Sequence, residues 1–138
     1  MPRRPSGWVA VEPRAAYRRL AISRNLLPVD GQPVWSAPCF FVARGWRGKG
    51  VAGALLAAAA AHARRRGGRI LEGYPVDSPR PLAGPWLYPG AFSTFLRLGF
   101  AEVARRACTR PVVRLGLKLG VRAVVPAGAA KVPARTPR

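Results

Sequence analysis

The sequence predicts an α/β domain, a mixed β-sheet flanked by helices, and three observations carry that expectation. Short β-branched and aromatic runs are bounded by Gly and Pro; one long run, Val51 to Arg66, is dominated by Ala and Leu without proline; and a glycine-rich turn joins that run to the strand before it. A strand follows the helix after Gly67-Gly68, so strand, glycine turn, helix and strand fall within about forty residues, the pattern of a β-α-β unit. With 138 residues, 49% of them hydrophobic, the chain has room for one compact domain and enough apolar material for its core.

The elements follow in order. Gly7 to Val11 reads as a strand that Pro13 ends. Tyr17 to Leu27 holds about one helical turn, and Pro28-Val29-Asp30-Gly31-Gln32-Pro33 supplies turn chemistry. Val34 to Val42 is a second strand, in which Pro38 cannot donate to a ladder and therefore belongs at a bulge or an open edge. In the helix from Val51 to Arg66, Leu55, Leu56, Ala59 and Ala63 share one face. Arg64, Arg65 and Arg66 meet the negative end of its dipole, and Gly67-Gly68 suits a left-handed C-terminal turn. Arg69 to Tyr74 is a third strand. Val76 to Pro89, with prolines at 79, 81, 85 and 89, reads as a surface loop. Phe92 to Leu98 is a short helix closed by Gly99, and Ala101 to Arg106 and Arg110 to Leu117 are two further strands. A domain over 1–118 and a Pro/Ala/Arg-rich, poorly ordered tail over 119–138 are expected.

Charge constrains partners less than its size suggests. The chain carries 24 Lys+Arg against 5 Asp+Glu, a formal charge of +19, which draws anions to the surface. Yet only Lys49, Lys118 and Lys131 are lysine, and Ala, Gly, Pro and Arg dominate throughout, as a GC-rich coding background would produce. The basic residues are scattered and form no dense tract with interleaved aromatics, so nucleic acid is not the expected partner. A basic nucleic-acid or ribosome-associated module is the alternative from another functional class. Cys39, Cys108 and the lone His62 match no metal-ligand spacing; both thiols are expected to be buried, and His62 a surface side chain. The apolar run from Val51 to Ala61 is shorter than the roughly 18 residues of a membrane span, and no signal peptide opens the chain, so a cytoplasmic protein without membrane association is expected.

Three phosphate-binding patterns compete at the glycine turn. Gly48-Lys49-Gly50-Val51-Ala52-Gly53 has the letters of a dinucleotide fingerprint, with Glu72 where a ribose-binding acid would sit. However, Ala43 to Arg47 separate the strand from the first glycine, and no further β-α-β repeat follows. A Walker A loop fails because Val51-Ala52 stand where Lys and Ser/Thr are needed. The third pattern is Arg47-Gly48-Lys49-Gly50-Val51-Ala52, an R-x-x-G-x-A between strand and helix. Here glycine lets the backbone approach phosphate, unpaired amides of the first helical turn point outward, and the dipole with Arg47 and Lys49 favours an anion.

With that loop the chain resembles the Gcn5-related N-acetyltransferases, the GNAT superfamily. Cys39-Phe40-Phe41-Val42 is similar to the family's fourth strand, Ile70-Leu71-Glu72-Gly73-Tyr74 to its fifth, and Phe95-Leu96-Arg97-Leu98-Gly99-Phe100 to the end of its fourth helix. Trp35-Ser36, Glu72 to Asp77 and Tyr88-Pro89-Gly90 resemble a bacterial subgroup. The resemblance spans Gly7 to Leu117. It implies acetyl transfer from acetyl-coenzyme A to an unidentified primary amine by direct attack. Backbone amides of Arg47, Gly48, Lys49, Gly50, Val51 and Ala52 would hold the pyrophosphate, and Phe41 and Val42 the pantetheine arm, with Ser93 and Phe95 near the cofactor. Glu72, with Asp77 second, is the candidate base; the plain alternative for Glu72 is a salt-bridged acid. Phe95 fills the place of a proton-donating tyrosine, which leaves Tyr88 as candidate acid. The resemblance further implies a strand, two helices and another strand before Gly7, so the chain is expected to be an N-terminally truncated member. Its acceptor half would then be incomplete, and an acyl-coenzyme A-binding pseudoenzyme is the second alternative.

Overall fold

The computed structural model describes residues 7–78 and 87–117. Its elements are β1 (Gly7–Pro13), α1 (Arg18–Ile22), β2 (Trp35–Val42), α2 (Val51–Arg65), β3 (Ile70–Gly73), β4 (Leu87–Tyr88), α3 (Phe92–Arg97), β5 (Ala101–Ala107) and β6 (Arg110–Gly116). They form one mixed sheet in the order β1-β2-β3-β6-β5, with β4 added to β2. Among these strands of the described residues β2 and β3 run parallel, as the α2 crossover between them requires; the other strand pairings are antiparallel.

α2 ends as its sequence dictates. Gly67 adopts φ 86°, and Gly68 and Gly67 donate to the carbonyls of Ala63 and Arg64, the double bond pattern of a Schellman turn. Leu55, Leu56, Ala59 and Ala63 all lie at 1% exposure or less. They pack with Val9, Val11, Phe40, Val42, Leu71, Phe95 and Val113 in the main core. His62 sits partly buried with its ring edge-on to Trp35 at 5.9 Å, where burial and then the charges of Arg66 and Arg65 lower its pKa.

The second face of the sheet is covered by the connection from β1 to β2. Two 3-10 turns, Arg14–Ala16 and Arg24–Leu26, flank α1 within it. Leu20 and Leu26 bury against Tyr74 of the β3 extension and Val112 of β6, with Tyr17 packed alongside. β3 and the first half of β6 therefore bury both faces, one under α2 and one under this cap, whereas β5 is largely exposed.

Pro38 marks the main irregularity. The β1–β2 register passes from Ala10↔Cys39 to Glu12↔Ser36, so two residues of β2, Ala37 and Pro38, oppose Val11 alone. This is a β-bulge. On the other edge, pairing with β3 runs through Trp35↔Leu71, Ser36↔Glu72 and Ala37↔Gly73 and stops there. Both placements expected of Pro38 thus occur at one point, where β2 parts from β3.

Several sequence expectations need correction. β1 runs on to Pro13, because a proline at a strand's last position gives up no needed hydrogen bond. Tyr88 lies in β4, paired with Phe40, since the edge that β3 leaves at Pro38 must find other hydrogen-bonding groups. Cys108 is exposed in the β5–β6 turn, and Cys39 is half-buried, its thiol pKa raised by burial. The expected tail over 119–138 and the loop prolines at 79, 81 and 85 lie outside the described residues.

Phe95, at 0% exposure, keys the parted strands together. Its ring meets Phe40 at 5.9 Å and Phe100 at 4.9 Å, both edge-on. A Cβ at Gly73 would fall 2.2 Å from its Cε1 and one at Gly90 would fall 2.7 Å from its Cε2. Rings on two other sides leave Phe95 no room to retreat. Gly73→Ala is therefore expected to lower stability by about 2 kcal/mol or more through overpacking; an unchanged urea midpoint would show that Phe95 is not wedged there.

Candidate active site

The site is built where β2 ends and α2 begins. Arg44 to Gly50 form an exposed turn, with the Lys49 ammonium 5.5 Å from the Trp46 ring centroid. Gly48 and Gly50 adopt φ 75° and 78°, left-handed values that side chains resist. Gly50 is the N-cap, and the first helical bond runs from the Ala54 amide to the Gly50 carbonyl at 3.1 Å. The amides of Val51, Ala52 and Gly53 thus precede the helical ladder. Among the described residues, no side chain caps them and no acidic residue stands in the first turn. A Cβ at Gly48, Gly50 or Gly53 would meet nothing within 4 Å, so the mouth of α2 is open. An anion with several oxygens fits that opening.

Phe41 and Val42 lead from this mouth back toward the bulge. The Phe40–Phe41 edge carries β4 through Phe40↔Tyr88 and Phe41↔Leu87, while Val42 lies past that pairing. The edge therefore accepts an extended chain. The Tyr88 ring rests 6.0 Å from Phe40. Burial raises the Tyr88 pKa against the opposing pull of Arg47, so the glycine loop and β4 lie within electrostatic reach of each other. Ser93 is exposed in the first turn of α3, where Ala91 is the N-cap. The structure therefore brings the glycine loop, Phe41, Val42 and Tyr88 to one end of the sheet, leaves Ser93 on the surface beside them and seals Phe95 in the core.

Glu72 lies on the opposite face and is 1% exposed. Arg14 reaches its Oε1 at 3.1 Å and Arg114 its Oε2 at 2.7 Å. The Tyr74 hydroxyl donates to Oε1 at 2.7 Å, leaving its own oxygen to accept from Ser36 at 2.6 Å and Arg14 at 3.0 Å. Arg14 also donates to the carbonyls of Leu20 and Leu26, and Arg114 to both oxygens of Asp30 at 2.8 and 3.1 Å. One buried carboxylate thus anchors both ends of the cap to β3 and β6. Asp77, the second candidate base, is held by Arg105 at 2.8 Å, and Arg105 also grips Glu102 at 2.6 Å.

Sequence reasoning singled out Glu72 but missed Arg14, Ser36, Arg114 and Asp30 as its companions. No spacing rule joins residues 58 or 42 positions apart in the chain; the one available signal was that a carboxylate on a buried strand needs cationic partners.

Two measurements follow from the cluster. Glu72→Gln leaves two arginines at 12% and 11% exposure without their counter-charge and is expected to cost about 3 kcal/mol of stability in urea unfolding; a loss under about 0.5 kcal/mol would mean that the arginines turn outward into solvent. The Arg114 hydrogen bond, then the Gln32 amide, holds Asp30 at about 2, below its ordinary value near 4. A depressed carboxylate stabilises the fold above its unfolded pKa, and that contribution disappears as pH falls through the folded value. Asp30→Asn should therefore flatten the dependence of Tm on pH between about 4 and 2, and an unaltered dependence would exclude the pair from acid unfolding.

Comparison with known proteins agrees with the geometry. A family model described as the acetyltransferase (GNAT) family matches residues 5–78, which contain β1, the cap, β2, the glycine loop, α2 and β3. No curated protein and no solved structure gives a match. Among the described residues no helix is long and apolar enough to cross a membrane, and no group of His, Cys, Asp and Glu could hold a metal ion. The match covers more than half of the 138 residues, with the glycine loop inside it, and the chain belongs to the GNAT acetyltransferase family.

Proposed function

We propose that the protein transfers an acetyl group from acetyl-coenzyme A to a primary amine by direct attack of the amine on the thioester. The observation that carries this reading is the open, glycine-lined mouth of α2 at the end of a strand that has left its neighbour. The pyrophosphate sits against the amides of Gly48 to Ala52, with Arg47 and Lys49 as counter-charges. From there the pantetheine arm extends along Val42 and Phe41, replacing the two-residue β4 on that edge. An amide at the bulge stabilises the oxygen that gains charge as the amine attacks. The C–N bond forms, the C–S bond breaks, the nitrogen loses a proton and the sulfur gains one.

Proton transfer has two candidate groups. Glu72 acts through solvent or its Tyr74–Ser36 hydrogen bonds, because direct approach to a carboxylate with both oxygens engaged would require displacing an arginine. Tyr88, within electrostatic reach of Arg47, is the candidate to return a proton to sulfur once the arm has displaced β4 from Phe40. We place this function in a domain over residues 1–118 that precedes a tail.

Calorimetric titration with coenzyme A at moderate salt tests the reading. Gly50→Glu sets a carboxylate against the pyrophosphate and is expected to weaken binding by at least about 100-fold, because like charges in contact cost several kcal/mol. Gly50→Ala carries only the left-handed backbone penalty, about 1 kcal/mol, and should bind more tightly than Gly50→Glu. Equal affinity of all three proteins, or salt-sensitive RNA binding without coenzyme A uptake, would contradict the assignment.

A further inference from the structure

Arg110, the first residue of β6, makes none of the ion pairs that hold Arg105 and Arg114 in the same sheet. Its side chain is half-buried and its Nη2 donates to the Tyr74 carbonyl at 3.0 Å. Its Nε is buried and has no hydrogen-bond partner, a condition shared among the described residues only with the Tyr17 hydroxyl. Buried cationic groups ordinarily have an anion beside them, since desolvation is otherwise uncompensated. None is at hand. The chain has 5 Asp+Glu; Asp30 and Glu72 serve Arg114 and Arg14, Asp77 and Glu102 serve Arg105, and Glu12 belongs to β1, which β2 and β3 separate from β6. Burial accordingly lowers the Arg110 pKa with no carboxylate opposing it.

The position of this guanidinium gives it meaning. Tyr74 follows Gly73, the last β3 residue paired with β2, so Arg110 is tied to the first residue beyond the parting of the strands. Alternation along β6 puts Arg110 on the face of Val112 and Arg114, the cap side of the sheet. Tyr17, with the other unpartnered group, packs on that same face. The cap covers this face at Tyr74 and Val112, and Arg110 lies at its rim, where β5 turns into β6. A guanidinium whose Nε–H is free offers a fork suited to a two-oxygen anion.

We propose that Arg110 binds an anionic group, a carboxylate, on the acceptor, so that the amine acetylated by this protein is one that also carries a carboxylate. This deepens the acetyltransfer reading and rests on it for the word acceptor, whereas the anion site itself stands on the guanidinium alone. Arg110 acts as a specificity-determining residue, and the acyl-transfer chemistry takes place elsewhere.

The test uses the whole chain and succinate as probe, with ionic strength held constant by NaCl. Succinate is expected to raise the Tm of the wild type saturably, and Arg110→Met to abolish that response while unfolding at the same or a higher temperature, since it removes an uncompensated charge at similar volume. Arg110→Lys, which keeps the charge and loses the fork, should respond more weakly than wild type. No response in the wild type, an equal response in Arg110→Met, or a large fall in Tm of Arg110→Met without succinate would overturn the proposal, the last by showing that Arg110 exists to hold the Tyr74 carbonyl. In acetyl transfer, γ-aminobutyrate should be preferred to n-butylamine by at least tenfold in kcat/KM, and Arg110→Met should erase the preference by raising KM for γ-aminobutyrate while leaving coenzyme A affinity within twofold. A wild type that takes succinate but not coenzyme A would remove the acetyltransfer reading and leave the anion site in place.

Discussion

Pro38 has no amide hydrogen to give, and the sheet parts where it stands. β2 pairs with β3 for three residues, through Ala37↔Gly73, and at Pro38 it bulges against β1 and leaves β3 together. A parallel pair that separates in mid-sheet needs something to hold it apart, because unpaired strand edges otherwise seek partners. Phe95 provides the wedge on the α2 side, seated against glycines at 73 and 90 where any Cβ would collide with its ring. The edge that β2 frees takes β4 at Phe40 and Phe41. Beyond it the strand runs into a glycine turn whose left-handed residues aim the mouth of α2 outward. Strand parting, freed edge and the open mouth of α2 follow one another along β2 and the turn after it.

Electrostatics divides the molecule along the same line. On the α2 side the glycine loop brings cations and amide hydrogens together with no carboxylate in the first helical turn, and that side is left to attract an anion. On the cap side the few acids are spent on arginines. Glu72 alone fixes Arg14 and Arg114, which tie the cap to β3 and β6. The formal charge of +19 therefore belongs to a protein whose few acids mostly hold its own fold together. Arg110 departs from this division, a cation on the cap side whose Nε hydrogen the described residues leave unused.

Local sequence made the strands, α2, its Schellman end and the glycine mouth legible, because propensity, glycine position and helical spacing all act over a few residues. Pro38 was readable for the same reason: a missing donor restricts where a residue can sit, whatever the rest of the fold does. Leu87–Tyr88 was hidden by the prolines around it, which argue for a loop, while the demand for a partner came from Phe40 and Phe41, far back in the sequence. The Glu72 cluster was only half visible. A glutamate on an apolar strand announces that it needs a cation, yet nothing in a sequence with 24 basic residues tells which ones will meet it. Phe95 showed itself as an aromatic lacking a hydroxyl, but its place between two glycines depends on tertiary packing that no short window contains.

The central claim is that the parted strand and the mouth of α2 form one continuous site for coenzyme A. Amide chemical-shift mapping of the 15N-labelled protein as coenzyme A is added tests it most directly. The account predicts that the largest changes run without a break from Phe41 and Val42 through Gly48 to Ala54, with the cap from Arg18 to Leu27 little affected. Changes confined to the arginines of the cap, or spread evenly over the basic surface, would contradict it.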